Sequence, residues 1–353
     1  MTKLLIVQVF HKVEFGGLYR QSPCLVRSVK NRKGKNMEYS IDIIIPTYKP
    51  DATFEKLISR LQRQTVKPQR ILVINTEEVL WEQAEFDKSP FVFGTLAGMK
   101  MELYHIRKEE FDHGGTRAWA AGKSQAEYLM FMTQDAMPAD QYLIERLLTI
   151  MTQDPMIGAA YARQLPTADC GIIERYTREF NYGENSLIKT AEDIPQMGIK
   201  TFFCSDVCAM YRRNIYLSVG GFVRHTIFNE DMICAGTMIQ KGYKVAYAAD
   251  ARVIHSHNYT AMEQFHRNFD LAVSQTDHPE IFQGIASEGE GMRLVKKTAG
   301  YLMKKRYYYL LPKLIWQSGW KYLGYRAGKS YRHLPQKLVL KFTSDKSYWE
   351  KRI

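Results

Sequence analysis

The chain has 353 residues, 45% hydrophobic and 24% charged, enough to bury one large α/β core plus an appendage. Its formal net charge of +12 belongs to one end: residues 292–353 hold 16 Lys+Arg against 2 Asp+Glu, while residues 1–291 hold 33 against 35. No run of 18 apolar residues occurs, which argues against a spanning helix, and five cysteines without a CxxC pair fit reduced thiols better than a disulfide framework.

Residues 1–36 carry eight Lys+Arg against Glu14 alone and show no sustained periodicity, so they are expected to form a loose basic extension, with Met37 an alternative first residue. The apolar run in MTKLLIVQVF is too short for a signal peptide, and the expected compartment is the cytoplasm. Regular patterning starts at Ser40: IDIII is a continuous apolar run of the parallel-strand type that stops at Pro46. Phe54, Leu57, Ile58 and Leu61 then repeat as one face of an amphipathic helix. Strands are expected at 71–75, 101–106 and 128–132, with a helix over 116–127. Strands alternating with helices over about 100 residues predict a doubly wound, mainly parallel sheet. Further on, the pattern predicts a helix over 142–151, a strand over 157–162, a helix within 173–180 and a polar loop around 181–198 that can cover a site. Strands over 204–211, 243–248 and 252–257 and a helix over 259–274 complete a domain spanning 37–275. Residues 276–353 form a basic, aromatic, helical tail.

Chemistry concentrates where strands end. Asp135, in TQDA, directly follows the apolar strand YLMFM, and ligands of open α/β sheets bind in the crevice beyond the strand carboxyl ends. A carboxylate delivered there is well placed to hold a metal. Gly114 and Gly115, in FDHGGTR, allow close backbone approach and positive φ. Arg117 offers a planar fork of donors suited to a diphosphate, and Thr116 is expected to cap the following helix. His255 and His257, in VIHSH, fall on the same face of the expected strand.

Five patterns occur in order: IPTYKPD (45–51), VINTEE (73–78), FDHGGTR with TQDA, SVGGFVRHTIFNEDM (218–232) and VIHSH (253–257). Together they resemble the family 2 glycosyltransferases of the GT-A type, with bacterial rhamnosyltransferase-like members nearest, over about residues 40–275. The resemblance implies a GT-A, Rossmann-like α/β fold and inverting transfer of a sugar to a cell-surface glycan or lipid-linked acceptor. It points to L-rhamnose from dTDP-rhamnose. A UDP-hexose or UDP-furanose donor on the same fold is the alternative, and a catalytically silent glycan- or lipid-binding scaffold is another.

In these terms Pro46, Thr47 and Tyr48 meet the base and ribose of the donor, and Asn75 and Glu77 stand where the family has an acidic nucleotide contact. Gly114, Gly115 and Arg117 hold the diphosphate. Asp135 holds Mg2+ or Mn2+, with His255 completing the metal or diphosphate site and His257 supporting it. Gln134 stands where many relatives have an acid, so the metal depends largely on the substrate. Asp231 is the base that takes the acceptor proton, with Glu230 as its substitute.

The tail interleaves nine Tyr and Trp with eight Lys and Arg over residues 301–332, which suits an anionic membrane surface. Pro312 is expected to split it into two short interfacial helices. The expected location is therefore the cytoplasm, peripherally on the inner face of the plasma membrane. A homodimer is a further expected partner, and no nucleic-acid-binding motif accompanies the tail.

Overall fold

The computed structural model describes residues 29–30, 36–37, 39–84, 95–96, 99–285 and 288–350. Most of the 1–36 segment, expected as a loose extension, lies outside the described residues; Val29–Lys30 and Asn36–Met37 form an antiparallel pair.

The strands are β1 (Ile41–Tyr48), β2 (Arg70–Thr76), β3 (Met99–Ile106), β4 (Tyr128–Met132), β5 (Ile157–Leu165), β6 (Leu187–Lys189), β7 (Cys208–Arg212) and β8 (Lys244–Ile254). With the short strands Thr95–Leu96, paired to β3, and Met137–Pro138, paired to β8, they form one sheet in the order β6-β8-β5-β7-β4-β1-β2-β3. β4, β1, β2 and β3 are mutually parallel, as are β5 and β8, while β7 runs antiparallel to both its neighbours and β6 antiparallel to β8. The strand order reverses between β1 and β4, the position at which such sheets open a ligand crevice.

Besides four short helices of four to six residues, at Glu78–Gln83, Ile194–Met197, Arg213–Ser218 and Pro279–Phe282, the helices are α1 (Ala52–Gln62), α2 (His113–Gly122), α3 (Leu143–Met151), α4 (Ile172–Asn181), α5 (Glu230–Gln240), α6 (Ala261–Asp277), α7 (Glu288–Lys304), α8 (Leu311–Lys329), α9 (Gln336–Phe342) and α10 (Lys346–Glu350). β1 shows why both faces of the sheet are covered. Ile41, Ile43 and Ile45 pack into the layer of α1 and α3, whereas Ile44 joins the layer containing Ala120 of α2 and Ile233 of α5. Each buried isoleucine contributes about 1.5–3 kcal/mol. Asp42, on the Ile44 face, is tolerated because Arg70 (2.6 Å) and the Ser124 hydroxyl (2.6 Å) reach it. The predicted apolar face of α1 is the buried one, and Asp51 caps it by accepting from the Thr53 N–H.

Several boundaries differ from the sequence reading; the expected loop around 181–198 contains β6 and short helical turns, and four other differences have a clear physical reason. β1 continues past Pro46 to Tyr48, because it pairs with β4 only through Ile44, so the missing N–H of Pro46 falls where one side of the strand has no partner. α2 begins at His113 because Asp112, not Thr116, is the cap: its carboxylate accepts from the Gly115 N–H, while the Thr116 hydroxyl accepts from the Asp112 N–H. β7 begins at Cys208, leaving Cys204 buried in the preceding loop. The two strands expected over 243–257 are one strand, β8, with a register shift between Ala248 and Arg252, and His255 and His257 lie just beyond its end.

The C-terminal helices pack against α6. Gly324 and Gly328 of α8 lie so near the Phe265 and Phe269 carbonyls that a Cβ would come within 2.2 and 2.3 Å of them. Tyr331, Val339 and Trp349 then share a small core with Phe269 and Val273. Pro312 sits in the first turn of α8, where its missing N–H costs nothing, so it starts this helix after the separate α7. No helix among the described residues is long and apolar enough to cross a membrane.

Candidate active site

Two polar clusters lie beyond the carboxyl end of β4, where Thr133 follows the strand and its N–H donates to the Val207 carbonyl. In the first, Asp135 follows β4 and meets the two histidines that follow β8. Asp135 Oδ2 lies 3.5 Å from His255 Nε2 and 3.3 Å from His257 Nε2, and the two Nε2 atoms are 3.0 Å apart. One ligand atom from each lies within 4.8 Å of the others, a spacing that one cation can bridge. His255 is buried and its Nδ1 is held by Gln164 Oε1 at 3.1 Å, which turns Nε2 toward Asp135. When Nδ1 carries the proton, Nε2 is free to act as a ligand. Burial opposes ionisation of Asp135, but the hydrogen bond and charge of His255 outweigh it and hold the carboxyl well below its ordinary range. Burial and His255 push His257 toward its neutral, ligating form. One carboxylate and two imidazoles thus offer a divalent cation three ligand atoms.

The second cluster contains the acids at the start of α5. Arg117 of α2 is buried, and it turns to carboxylates of the protein rather than into the open crevice where a diphosphate was expected. Its Nη1 lies 3.1 Å from Glu230 Oε1 and 2.8 Å from the His113 carbonyl, and its Nε lies 3.7 Å from Asp206 Oδ2. Asp231, half-buried, accepts from the backbone N–H of Asp206 at 3.1 Å and of Met232 at 2.7 Å. Two carboxylates, Glu230 and Asp206, therefore pair with one guanidinium, and Asp231 feels its charge without touching it. Burial, then the Asp231 charge, drives Asp206 well above its ordinary range, and burial with the Glu230 charge pushes Asp231 up to about 7. Like charges this close cannot all ionise, which poises Asp231 near neutrality to gain or lose a proton.

The clusters are joined. Gln164, buried between them, donates to Ser205 Oγ at 2.9 Å while holding His255, and Ser205 is chain neighbour to Asp206. Arg178 donates to the same Gln164 oxygen.

The remaining expected donor contacts divide. Tyr48 is 42% exposed at the crevice rim, with Pro46 partly covered behind it. Asn75, in contrast, is wholly buried: it accepts from the Thr47 hydroxyl at 3.2 Å, donates to the Glu77 carbonyl at 3.0 Å and meets His105 Nδ1 at 3.1 Å. Thr47 and Asn75 therefore tie the ends of β1, β2 and β3 together. Glu77 accepts from the Lys108 N–H and closes the β3 end. Gln134 bridges to Tyr48, accepting from its N–H at 2.9 Å and donating to its carbonyl at 3.0 Å. Gly114 and Gly115 lie in the first turn of α2 without positive φ. What Gly114 supplies is close approach, since a Cβ there would sit 1.9 Å from the Val223 carbonyl oxygen.

Asp206 and Gln164 were not found from the sequence. For Asp206 a signal existed: a lone acid inside the apolar run FFCSDVCAMY is either at a strand end or buried with a partner. Gln164 carried none.

A family model described as glycosyl transferase family 2 matches residues 42–220, about half the chain. The chain belongs to glycosyl transferase family 2. The O-antigen chain rhamnosyltransferase RfbN of Salmonella typhimurium is 37% identical over 311 residues, covering 88% of this chain and 96% of that protein. The O-antigen chain rhamnosyltransferase WbaN of Salmonella anatum is 36% identical over 313 residues with the same coverage. Among solved structures, mannosyltransferase PcManGT from Pyrobaculum calidifontis, in complex with GDP-Man and Mn2+, has a similar fold, with a TM-score of 0.55 over 90% of this chain and 92% of that one at 13% identity. In this family 2 glycosyltransferase, a sugar moves from a nucleotide sugar to a glycan acceptor, and the crevice at the β1/β4 reversal, with its two clusters, is the candidate seat of that chemistry.

Proposed function

We propose that this glycosyltransferase moves L-rhamnose from dTDP-rhamnose to a growing cell-surface glycan, with inversion. The observation that carries the sugar assignment is the 37% identity to an O-antigen chain rhamnosyltransferase along 96% of that protein. Tyr48, held by Gln134, offers a surface to the nucleoside. Asp135, His255 and His257 would hold Mn2+ or Mg2+, which when bound would supply positive charge at the diphosphate. Asp231 accepts the proton of the acceptor hydroxyl as that oxygen bonds to the anomeric carbon and the carbon–diphosphate bond breaks. Arg117 acts on this step through Glu230 and Asp206, by limiting the negative charge around Asp231.

The acceptor is lipid-linked or a polysaccharide, and the protein works peripherally on the cytoplasmic membrane face. α8 supports this placement because it carries two apolar stripes. One packs on α6, and the other leaves Ile315, Trp316, Tyr322 and Leu323 each more than half exposed. Exposed Lys304, Lys305 and Lys313 stand close by in sequence, and aromatic plus cationic groups favour an anionic headgroup boundary.

A donor panel of dTDP-rhamnose, UDP-glucose and UDP-galactose with purified protein and Mn2+ tests the sugar assignment by nucleotide release. Turnover is expected with dTDP-rhamnose; preference for a UDP-hexose contradicts the assignment and leaves the family intact.

A further inference from the structure

A cleft of about 320 Å³ runs from His257 to α8, with the start of α4 as its other wall. Asp169 and Glu174 line it on the α4 side, Tyr259 beside His257, and Lys313, Gln317 and Lys321 on α8. Neither polar cluster of the active site accounts for these residues, apart from His257 at the shared border. The volume lies at the small end of ligand cavities, which span about 300–1,000 Å³.

The lining indicates what fits. Two carboxylates against two ammonium groups leave no net formal charge, so the walls do not select a polyanion such as a second diphosphate. They offer donors from the lysines, acceptors from the acids, both from the Gln317 amide, and an aromatic wall. A neutral polyol needs that mixture, because each hydroxyl donates one hydrogen bond and accepts others. The position gives direction, because the cleft opens at a candidate cation ligand, next to where the transferred sugar leaves its diphosphate.

We propose that this cleft binds the sugars of the acceptor glycan adjoining its reacting end, so that α8 forms part of the acceptor site. The inference rests on the glycosyl-transfer reading. It gives the C-terminal helices a catalytic purpose apart from any membrane contact: they are the second wall without which the cleft does not exist.

The test uses the full chain with Mn2+ and its best nucleotide sugar, and as acceptors oligosaccharides of one to four sugars cut from bacterial O-antigen. The parent is expected to show at least tenfold higher kcat/KM for four sugars than for one. Gln317→Trp, which fills the cleft, is expected to reduce that ratio at least tenfold through acceptor KM. Lys313→Ala, at an exposed position, repeats the test if the tryptophan variant does not fold, with a smaller loss in the same ratio. An unchanged length preference in the variants, or none in the parent, overturns the cleft assignment alone. Absence of transfer by the parent with every donor and acceptor overturns the glycosyl-transfer reading itself, and the cleft assignment with it.

Discussion

Gln134 grips Tyr48 at both of its backbone polar groups, receiving the N–H at 2.9 Å and donating to the carbonyl at 3.0 Å. β1 and β4 stop pairing at Ile44 and Phe131, so the side-chain amide replaces the missing strand contact across the crevice. A carboxylate at this position could accept but not donate, so the pair of bonds requires an amide. Gln134→Leu removes both bonds and should raise the donor KM about tenfold, each neutral hydrogen bond contributing about 0.5–1.5 kcal/mol. Initial-rate kinetics in donor concentration check this; an unchanged donor KM shows that Tyr48 does not need the brace.

Arg117 should control the pH profile. Its charge favours ionisation of Asp206 and Asp231, so its removal raises the pKa of Asp231 further. The base is active when deprotonated, so the parent kcat/KM should rise with pH through about 7, and in Arg117→Met this limb should move to higher pH. Breaking a buried ion pair costs about 3–5 kcal/mol, so Arg117→Lys, which keeps the charge, serves as the folded control and should return the limb most of the way to its parent position. A limb that stays in place in a folded Arg117→Met separates Arg117 from the base.

The fold was legible where burial obeys a simple period. Phe54, Leu57, Ile58 and Leu61 show it for α1, and the unbroken run 41–45 for β1, because a strand covered on both faces needs no polar alternation. Strand ends also drew notice to Asp135, His255 and His257, whereas Glu230 and Asp231, at the start of α5, were singled out by the family resemblance. What stayed hidden depended on partners distant in sequence. Arg117 looked like a phosphate ligand because its buried neighbours, Glu230 and Asp206, lie 113 and 89 residues away. Asn75 looked like a nucleotide contact because Thr47 and His105, which satisfy its amide, sit on other strands. Local pattern shows that a polar group is present at a strand end, whereas tertiary contact decides whether it faces ligand or protein.

Stability should fall as pH rises across the acidic range on account of Asp270. Burial pushes this carboxyl up to about 6, against the hydrogen bonds from Thr343 and Ser344 that tie α6 to the segment before α10. Between about pH 4 and 6 the folded chain keeps a proton that the unfolded chain has lost. Its contribution is therefore full below about 4 and fades as pH rises through 6. Urea unfolding at pH 4.5 and 7.5 should show the stability of the parent relative to Asp270→Asn declining with pH. A relative stability that increases with pH reverses the assigned sign.

Metal dependence should pass through Gln164 as well as the three candidate ligands. Chelation should stop turnover and Mn2+ should restore it. Asp135→Asn should remove Mn2+ binding measured by electron paramagnetic resonance, and Gln164→Leu should weaken it about 10–100-fold by releasing the His255 ring. Full Mn2+ affinity in Asp135→Asn displaces the cation from this cluster.

The central claim is that Asp231 takes the acceptor proton during rhamnosyl transfer. The most direct measurement compares Asp231→Asn with the parent in transfer from dTDP-rhamnose, with the donor Kd measured on the same preparations. Transfer should fall by about 10²–10⁴-fold, the range for loss of a general base, with the donor Kd within about twofold of the parent. Substantial turnover in Asp231→Asn, with donor binding intact, contradicts the account.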